Sequence, residues 1–356
     1  MGSLSLPNGR RTYVSGRSRE DVRRKLDEVQ SSRDAGTFSD GGGLSLGAYL
    51  DQWLDQVVKP SVRPWTYLGY EVNVRLHIKP SLGNRPLDRV TPMDVQGLMN
   101  RKTREGLSPK SVRHIRATLR AALNQAIKWD LLTRNAATRV EPPRLVPYEI
   151  RPFTPEEARQ FLDHIRGDRL EALYSVALTM GLRQGEALGL RWRDIDLDRG
   201  HLRVTNQLQR VDSRLVLVEP KTRGSRRTIV MPASIGVALR VHRQRQLLER
   251  DRAGKSWTDE ELVFSTPSGG PLEGTTVTRR FHELLDQAGL PQRRFHDLRH
   301  SCATLLLVQG VSPKVVQELL GHSDIAMTMN TYSHVIPELR RDAADRMDDL
   351  LNDRDR

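Results

Sequence analysis

Four prolines, Pro142, Pro143, Pro147 and Pro152, fall within residues 142–152. Each locks its own φ, removes a backbone donor and biases the preceding residue towards extended conformations. No helix and no interior strand runs through such a stretch, so the chain must fold as separate bodies on either side of it. The length of 356 residues agrees, because single cores stop growing at roughly 250–300 residues. Residues 144–153 therefore read as an interdomain linker.

Before the linker, residues 47–143 carry a helical pattern throughout. Leu46, Tyr49, Leu50, Trp53, Leu54 and Val57 recur at i, i+3, i+4 spacing, the stripe of an amphipathic helix. A second helix starts near Pro64 and presents Tyr67, Tyr70, Val74 and Ile78. Thr91 with Pro92 and Asp94, and Ser108 with Pro109, are start signals for two more. The last of these buries Val112, Ile115, Leu119, Leu123 and Ile127 and sets Lys110, Arg113, Arg116 and Arg120 between them. Residues 1–46 hold a strand-like Tyr13–Val14 pair and a short helix capped by Ser18, then a glycine-rich joint.

After the linker, "YSVALTMGLRQGEALGLRW" reads as a buried helix, a turn and a second helix. The runs "HLRVTNQLQ", "RLVLVEP" and "RRTIVMP" are strand-like and suggest one small antiparallel sheet. Helices resume from "ASIGVALRVHRQRQLLE" onwards. The expected fold class is mainly α with a small antiparallel β-sheet: an all-helical domain at 47–143 and a mixed α/β domain at 154–336.

Charge narrows the partner. Of the net +13, +8 lies within residues 47–150, as suits a surface laid against a nucleic-acid backbone. One cysteine, Cys302, excludes an intramolecular disulfide framework and a cysteine-based zinc site. No run approaches the ~20 apolar residues of a membrane span, and the start lacks the apolar core of a signal peptide. The expected location is the cytoplasm, with no membrane partner.

Five short pieces carry phosphate chemistry. Arg183 leaves a helix at a turn in "GLRQGEALGLRW", with Glu186 three residues on. Lys221 sits between two strand-like runs, followed by Arg223 and Arg226. "FHDLRH" offers His296 and Arg299 one turn apart, His322 follows Gly321 at a helix end, and Tyr332 lies ten residues further. Taken singly, each has an ordinary reading: a surface charge, a solvated hairpin lysine, a helix C-cap, a packed tyrosine. His296 and His300, four apart, also have metal-ligand spacing, but they lack a third ligand nearby and put Arg299 against the ion. No metal and no cofactor is expected.

In this order and spacing the pieces resemble the tyrosine recombinase (phage integrase) family. The likeness covers the second domain. The helical domain looks like the family's core-binding (SAM-like) domain, and residues 1–46 resemble at most a shortened arm-type DNA-binding domain. The resemblance implies two domains clamped around DNA. It implies that Tyr332 attacks a phosphodiester to give a 3′-phosphotyrosine, with His296 assisting its deprotonation. Arg183 and Arg299 would hold the non-bridging oxygens, Lys221 would protonate the leaving 5′-oxygen, His322 would add a hydrogen bond and Glu186 would support them. Lys110, Arg113, Arg116, Arg120, Arg223 and Arg226 are the expected DNA contacts.

The tail at 337–356 places Leu339, Ala343, Met347 and Leu350 on one helical face, and the family implies that it docks on a neighbouring protomer of a tetramer at paired attachment-type sites. Strand exchange would pass through a Holliday junction, with an excisionase or DNA-bending protein as further partners, in a bacterial cytoplasm at the nucleoid. The expected activity is that of a mobile-element integrase. Its alternatives are a dimer-resolving recombinase, a type IB topoisomerase and a non-catalytic DNA-binding protein of the same fold.

Overall fold

Two sequences, "KPS" at 59–61 and again at 79–81, shape the first body of the chain. Proline lacks the N–H of the i→i−4 ladder, and its ring clashes with the carbonyl four residues back. In the computed structural model each KPS is preceded by a widened, π-helical stretch, Leu54–Val58 and Asn73–Ile78, so that both helices pass the proline instead of ending at it. The structure describes residues 2–5, 11–14, 16, 18–24, 27, 44–145, 148, 150–211, 214–220, 223–321 and 347. The chain divides into Met1–Pro147 and Tyr148–Arg356.

In the first unit, β1 (Gly2–Ser5) pairs antiparallel with β2 (Arg11–Val14), and residues 19–24 are helical. Helix α1 (Leu46–Trp53) starts where the Ser45 hydroxyl accepts from the Ala48 amide, and α2 (Pro64–Val72) follows. At α3 (Pro92–Arg104) the Thr91 hydroxyl accepts from the Asp94 amide and the Asp94 carboxylate accepts from the Thr91 amide, a complete capping box. Helix α4 (Pro109–Lys128) is capped by Ser108. Their inward faces meet in one core containing Tyr49, Leu50, Ile78, Leu98, Ile115 and Leu119, and the buried Tyr49 hydroxyl donates to the Ala122 carbonyl at 2.6 Å. Each such large aliphatic side chain contributes about 1.5–3 kcal/mol by leaving water.

The second unit opens with α5 (Pro155–His164), whose capping box joins Thr154 and Glu157. Helix α6 (Glu171–Met180) is buried almost all round, and α7 (Gln184–Leu188), α8 (Ala233–Ala253), α9 (Gly274–Gln287), α10 (Phe295–Val308) and α11 (Pro313–Leu320) complete it. The core joins Phe161, Tyr174, Phe264, Phe281 and Leu298.

The strands differ from the single sheet expected. A three-stranded sheet orders β3 (Ile195–Asp196), β4 (His201–Val204) and β7 (Arg227–Val230), while β5 (Gln207–Val211) and β6 (Arg214–Val218) form a separate hairpin. The run "HLRVTNQLQ" breaks at Thr205–Asn206 because its second half packs on α7. A Cβ on Gly189 would meet the Gln207 Cα at 2.8 Å, and one on Gly185 would meet the Leu208 carbonyl oxygen at 3.0 Å. Glycine at these two positions lets the hairpin backbone lie directly on α7.

Candidate active site

Two helix starts and one helix end build the site. Helix α6 ends at Gly181, whose φ of 62° is left-handed, and Leu182 leads to Arg183 at the start of α7. Arg183 is extended, with φ −67° and ψ 150°. The carboxylate of Glu186 reaches back to it, accepting from the Arg183 amide at 3.1 Å and from Arg183 Nη1 at 2.6 Å. Glu186 is 2% exposed. Burial pushes its carboxyl pKa up, but Arg227 and then Arg183 outweigh burial and hold it below the ordinary 4.5.

Helix α10 supplies the second start. Arg294 stands at its N-cap, and Asp297 accepts from the Arg294 amide at 2.9 Å and from Arg294 Nη2 at 2.9 Å. The hydroxyl of Tyr148 donates to the same carboxylate at 2.9 Å, and the Arg294 guanidinium stacks 3.3 Å above the Tyr148 ring. Asp297 is fully buried. Burial raises its pKa, and the hydrogen bonds from Arg294 and Tyr148 bring it below the ordinary 3.8. Next door, Arg293 bonds the Arg151 carbonyl at 2.9 Å and Glu157 at 2.6 Å. The end of the proline-rich stretch and the start of α5 are thus strapped across the start of α10.

This scaffold brings four of the sequence-predicted residues together, Arg183, Glu186, His296 and Arg299. His296 stands exposed on the first turn of α10. Partial withdrawal from water, then the positive fields of Arg299, Arg183 and Arg294, hold its pKa below that of an ordinary histidine, with Asp297 opposing them. Neutral imidazole is therefore favoured, a proton acceptor beside two guanidinium groups. Arg299 is 2% exposed, and its Nη1 and Nη2 donate to the carbonyls of Gly181 and Leu320, each at 2.7 Å. His300 meets the His296 ring edge-on with centroids 4.9 Å apart, and burial holds its pKa at about 4. Among the described residues no group of three histidine, cysteine or acidic side chains is placed to hold a metal.

Lys221, His322 and Tyr332 lie outside the described residues, as do the side chain of Arg223 and, apart from Met347, the tail at 337–356. Gly321, the residue before His322, caps α11 in the left-handed conformation with φ 66°. Of the expected DNA contacts, Arg226 is exposed and pairs with Glu219 at 2.5 Å. Lys110 and Arg120 are exposed on α4, and Arg113 donates to the Pro143 carbonyl at 3.1 Å. Between them Arg116 has a buried Nε with no hydrogen-bond partner among the described residues. Burial, then the charges of Arg120 and Arg113, lower its pKa. A row of cations on one helix face with no acidic partner among the described residues is suited to meet an anion.

Sequence reading missed Arg227. It is 7% exposed at its side chain and donates to Glu186 at 3.0 Å and to the Leu319 carbonyl at 2.6 Å. A signal for it existed. Arg227 and Ile229 have the same parity on β7, and Ile229 is buried, so the alternation of a strand aims Arg227 inward and Arg226 outward.

Known proteins bear on the same residues. The profile of the Phage integrase family matches residues 151–338, and that of the phage integrase N-terminal SAM-like domain matches residues 45–103. A "Tyrosine recombinase XerC-like" protein of Caldanaerobacter subterraneus subsp. tengcongensis is 32% identical, with 94% of this chain and 91% of the relative covered. The ICEBs1 integrase of Bacillus subtilis is 28% identical, over 81% of this chain and 79% of its own. Among solved structures, the Tn1549 transposon integrase in complex with a circular intermediate DNA superposes with a TM-score of 0.73 at 26% identity, covering 86% of this chain and all of that one. A lambda integrase tetramer bound to a Holliday junction shares the fold, with a TM-score of 0.59 at 22% identity over 92% of this chain and 91% of that one.

Proposed function

The chain belongs to the phage integrase family and is a site-specific tyrosine recombinase of the kind carried by phages and other mobile elements; on that premise we propose that Tyr332 is its nucleophile and that Arg183, Lys221, His296, Arg299 and His322 act on the scissile phosphate. The Tyr332 oxygen bonds to phosphorus as the bond from phosphorus to the 5′-oxygen breaks, and the 3′-phosphotyrosine conserves the bond energy for religation. A phenol with pKa near ~10 needs a proton acceptor at neutral pH. His296 serves, and the negative charge of a bound phosphate offsets the arginine fields and makes its ring more basic. Arg183 and Arg299 stabilise the non-bridging oxygens as charge develops, a task suited to planar guanidinium groups. Lys221 gives the proton to the leaving 5′-oxygen, His322 adds a hydrogen bond and Glu186 holds Arg183. The observation that carries this reading is the convergence of Arg183, His296 and Arg299 from α7 and α10.

Residues 47–143 serve as the core-binding domain, using Lys110, Arg113, Arg116 and Arg120, with Arg223 and Arg226 adding contacts from 154–336. Residues 144–153 link the two, and residues 1–46 act as a small arm. The tail at 337–356 docks on a neighbouring protomer, and four copies exchange strands between paired attachment-type duplexes through a Holliday junction, aided by an excisionase or a DNA-bending protein. The setting is the bacterial cytoplasm; in support, no helix of the described residues is long and apolar enough to cross a membrane.

The test uses a nicked suicide duplex carrying the core-type sequence from the junctions of the element that encodes the protein. The wild type traps a covalent adduct on denaturing gels, and Tyr332→Phe does not. An adduct that persists in Tyr332→Phe overturns the nucleophile, and no adduct from the wild type favours the non-catalytic binding reading.

A further inference from the structure

Arg227 has no part in the reaction as set out above, yet three segments meet at its guanidinium. Nη2 donates to Glu186 of α7 at 3.0 Å, Nε to the Leu319 carbonyl at the end of α11 at 2.6 Å, and Nη1 to Ser225 in the turn before β7 at 3.2 Å. The packing is close at the α11 cap, where a Cβ on Gly321 would stand 3.1 Å from Arg227 Nη1 and 3.0 Å from the Gly224 carbonyl oxygen. A larger residue at 321 would be strained by the left-handed φ of 66° and would press on this junction, which would have to give by a few tenths of an ångström.

Followed outward, these bonds close into a ring. Arg227 holds Glu186, and Glu186 holds the amide and Nη1 of Arg183. Two residues back along the chain, the Gly181 carbonyl accepts from Arg299. The other terminal nitrogen of Arg299 holds Leu320, and Leu319 beside it returns to Arg227. The two guanidinium groups therefore clasp consecutive carbonyls at the end of α11, whose free C=O groups need donors. A surface arginine contributing only charge has no reason to be buried with three directed bonds. The planar fork satisfies all three at once, which a lysine ammonium on a flexible stem does not.

We propose that Arg227 is a positioning residue of the recombinase, setting the separation of Arg183 and Arg299 by tying Glu186 to the end of α11. It touches no DNA and acts through the two arginines that meet the phosphate. His322 follows Gly321 directly in the chain, and Lys221 lies six residues before Arg227, so the ring is anchored between the segments that carry both. This inference rests on the proposed role of Arg183 and Arg299 at the scissile phosphate.

The experiment compares wild type, Arg227→Met, Arg227→Lys, Glu186→Gln and the Glu186→Gln/Arg227→Met double variant in full-length protein. The readouts are single-turnover cleavage of the nicked duplex, Kd for the intact duplex by fluorescence anisotropy, and thermal unfolding. Misplacing a catalytic group by ~1 Å costs on the order of 10²-fold, so Arg227→Met cleaves roughly that much more slowly while its Kd is retained. The double variant is no slower than the worse single variant, because both break one ring.

The pH profile supplies a second signature. Arg183 and Arg227 are the charged groups facing Glu186, so losing Arg227 moves the acid limb of cleavage towards neutral pH, and Glu186→Gln abolishes that movement. Should Arg227→Met fail to fold, Arg227→Lys keeps the charge without the fork, and folded but slow protein is expected. Wild-type cleavage by folded Arg227→Lys, or independent multiplication of the two single defects, overturns the proposal. Wild-type adduct formation lost in Tyr332→Phe shows that the underlying reading still stands in that event.

Discussion

Replacing Asp297 by asparagine tests whether the proline-rich strap holds α10 in place. Asp297 is fully buried and accepts from the Arg294 amide, Arg294 Nη2 and the Tyr148 hydroxyl, each at 2.9 Å. Hydrogen bonds to a charged group contribute about 1.5–3 kcal/mol each. Asparagine keeps the capping bond to the amide and is spared the cost of burying a carboxylate, so the net loss is about 2–3 kcal/mol. At about 1.36 kcal/mol per factor of ten, that opens α10 roughly 30- to 150-fold more often. The assay is hydrogen exchange of peptides covering Phe295–Val308, which reads this helix alone and needs no two-state assumption for a two-unit chain.

The pH dependence has a definite sign. The folded pKa of Asp297 lies below its ordinary 3.8, so its contribution is complete above that value and disappears as pH falls through the folded pKa. The wild-type helix therefore loses protection below about pH 4, and Asp297→Asn lacks that loss. Equal exchange rates at neutral pH, or the same acid sensitivity in both proteins, would refute the strap.

Two further outcomes are expected. Gly181→Ala forces a side chain into φ 62°, with its Cβ 2.4 Å from Leu320 Cδ2; left-handed strain and overpacking together cost about 2–4 kcal/mol, read as a lower urea midpoint, and an unchanged midpoint rejects the close packing of α11 on this turn. Arg116→Met removes a buried Nε without a partner among the described residues, so thermal stability is retained or raised while DNA affinity drops and the slope of log Kd against log salt becomes shallower by about 1; a slope that stays put, measured by anisotropy across salt, excludes a phosphate contact.

What could be read in advance divides along the range of the interactions. Helix starts are local, and Thr91-Pro92, Ser108-Pro109 and Thr154-Pro155 all begin helices where their caps indicate. Arg183 and Glu186 are three residues apart, so their pairing belongs to one capping box and was legible. Arg227 meets Leu319 across 92 residues, and only strand parity distinguishes it from its neighbour Arg226 in the same basic run. The break of the strand run at Thr205–Asn206 depends on glycines of α7 some twenty residues earlier. The π-helical stretches answer a steric conflict that periodicity alone does not register, since hydrophobic spacing continues through them.

The lone thiol has a practical use. Cys302 is 2% exposed and lies between α6, where the Thr179 carbonyl accepts from its Sγ at 3.3 Å, and the Gly181 turn. Burial pushes its pKa up to about 12, so at neutral pH it is almost wholly protonated and inaccessible, and the thiolate is the form that reacts. The native chain is therefore chemically silent towards maleimides. A single cysteine placed on either unit can take a fluorophore without first removing the natural one. The protein is ready as it stands for following, one molecule at a time, how its two units approach a duplex.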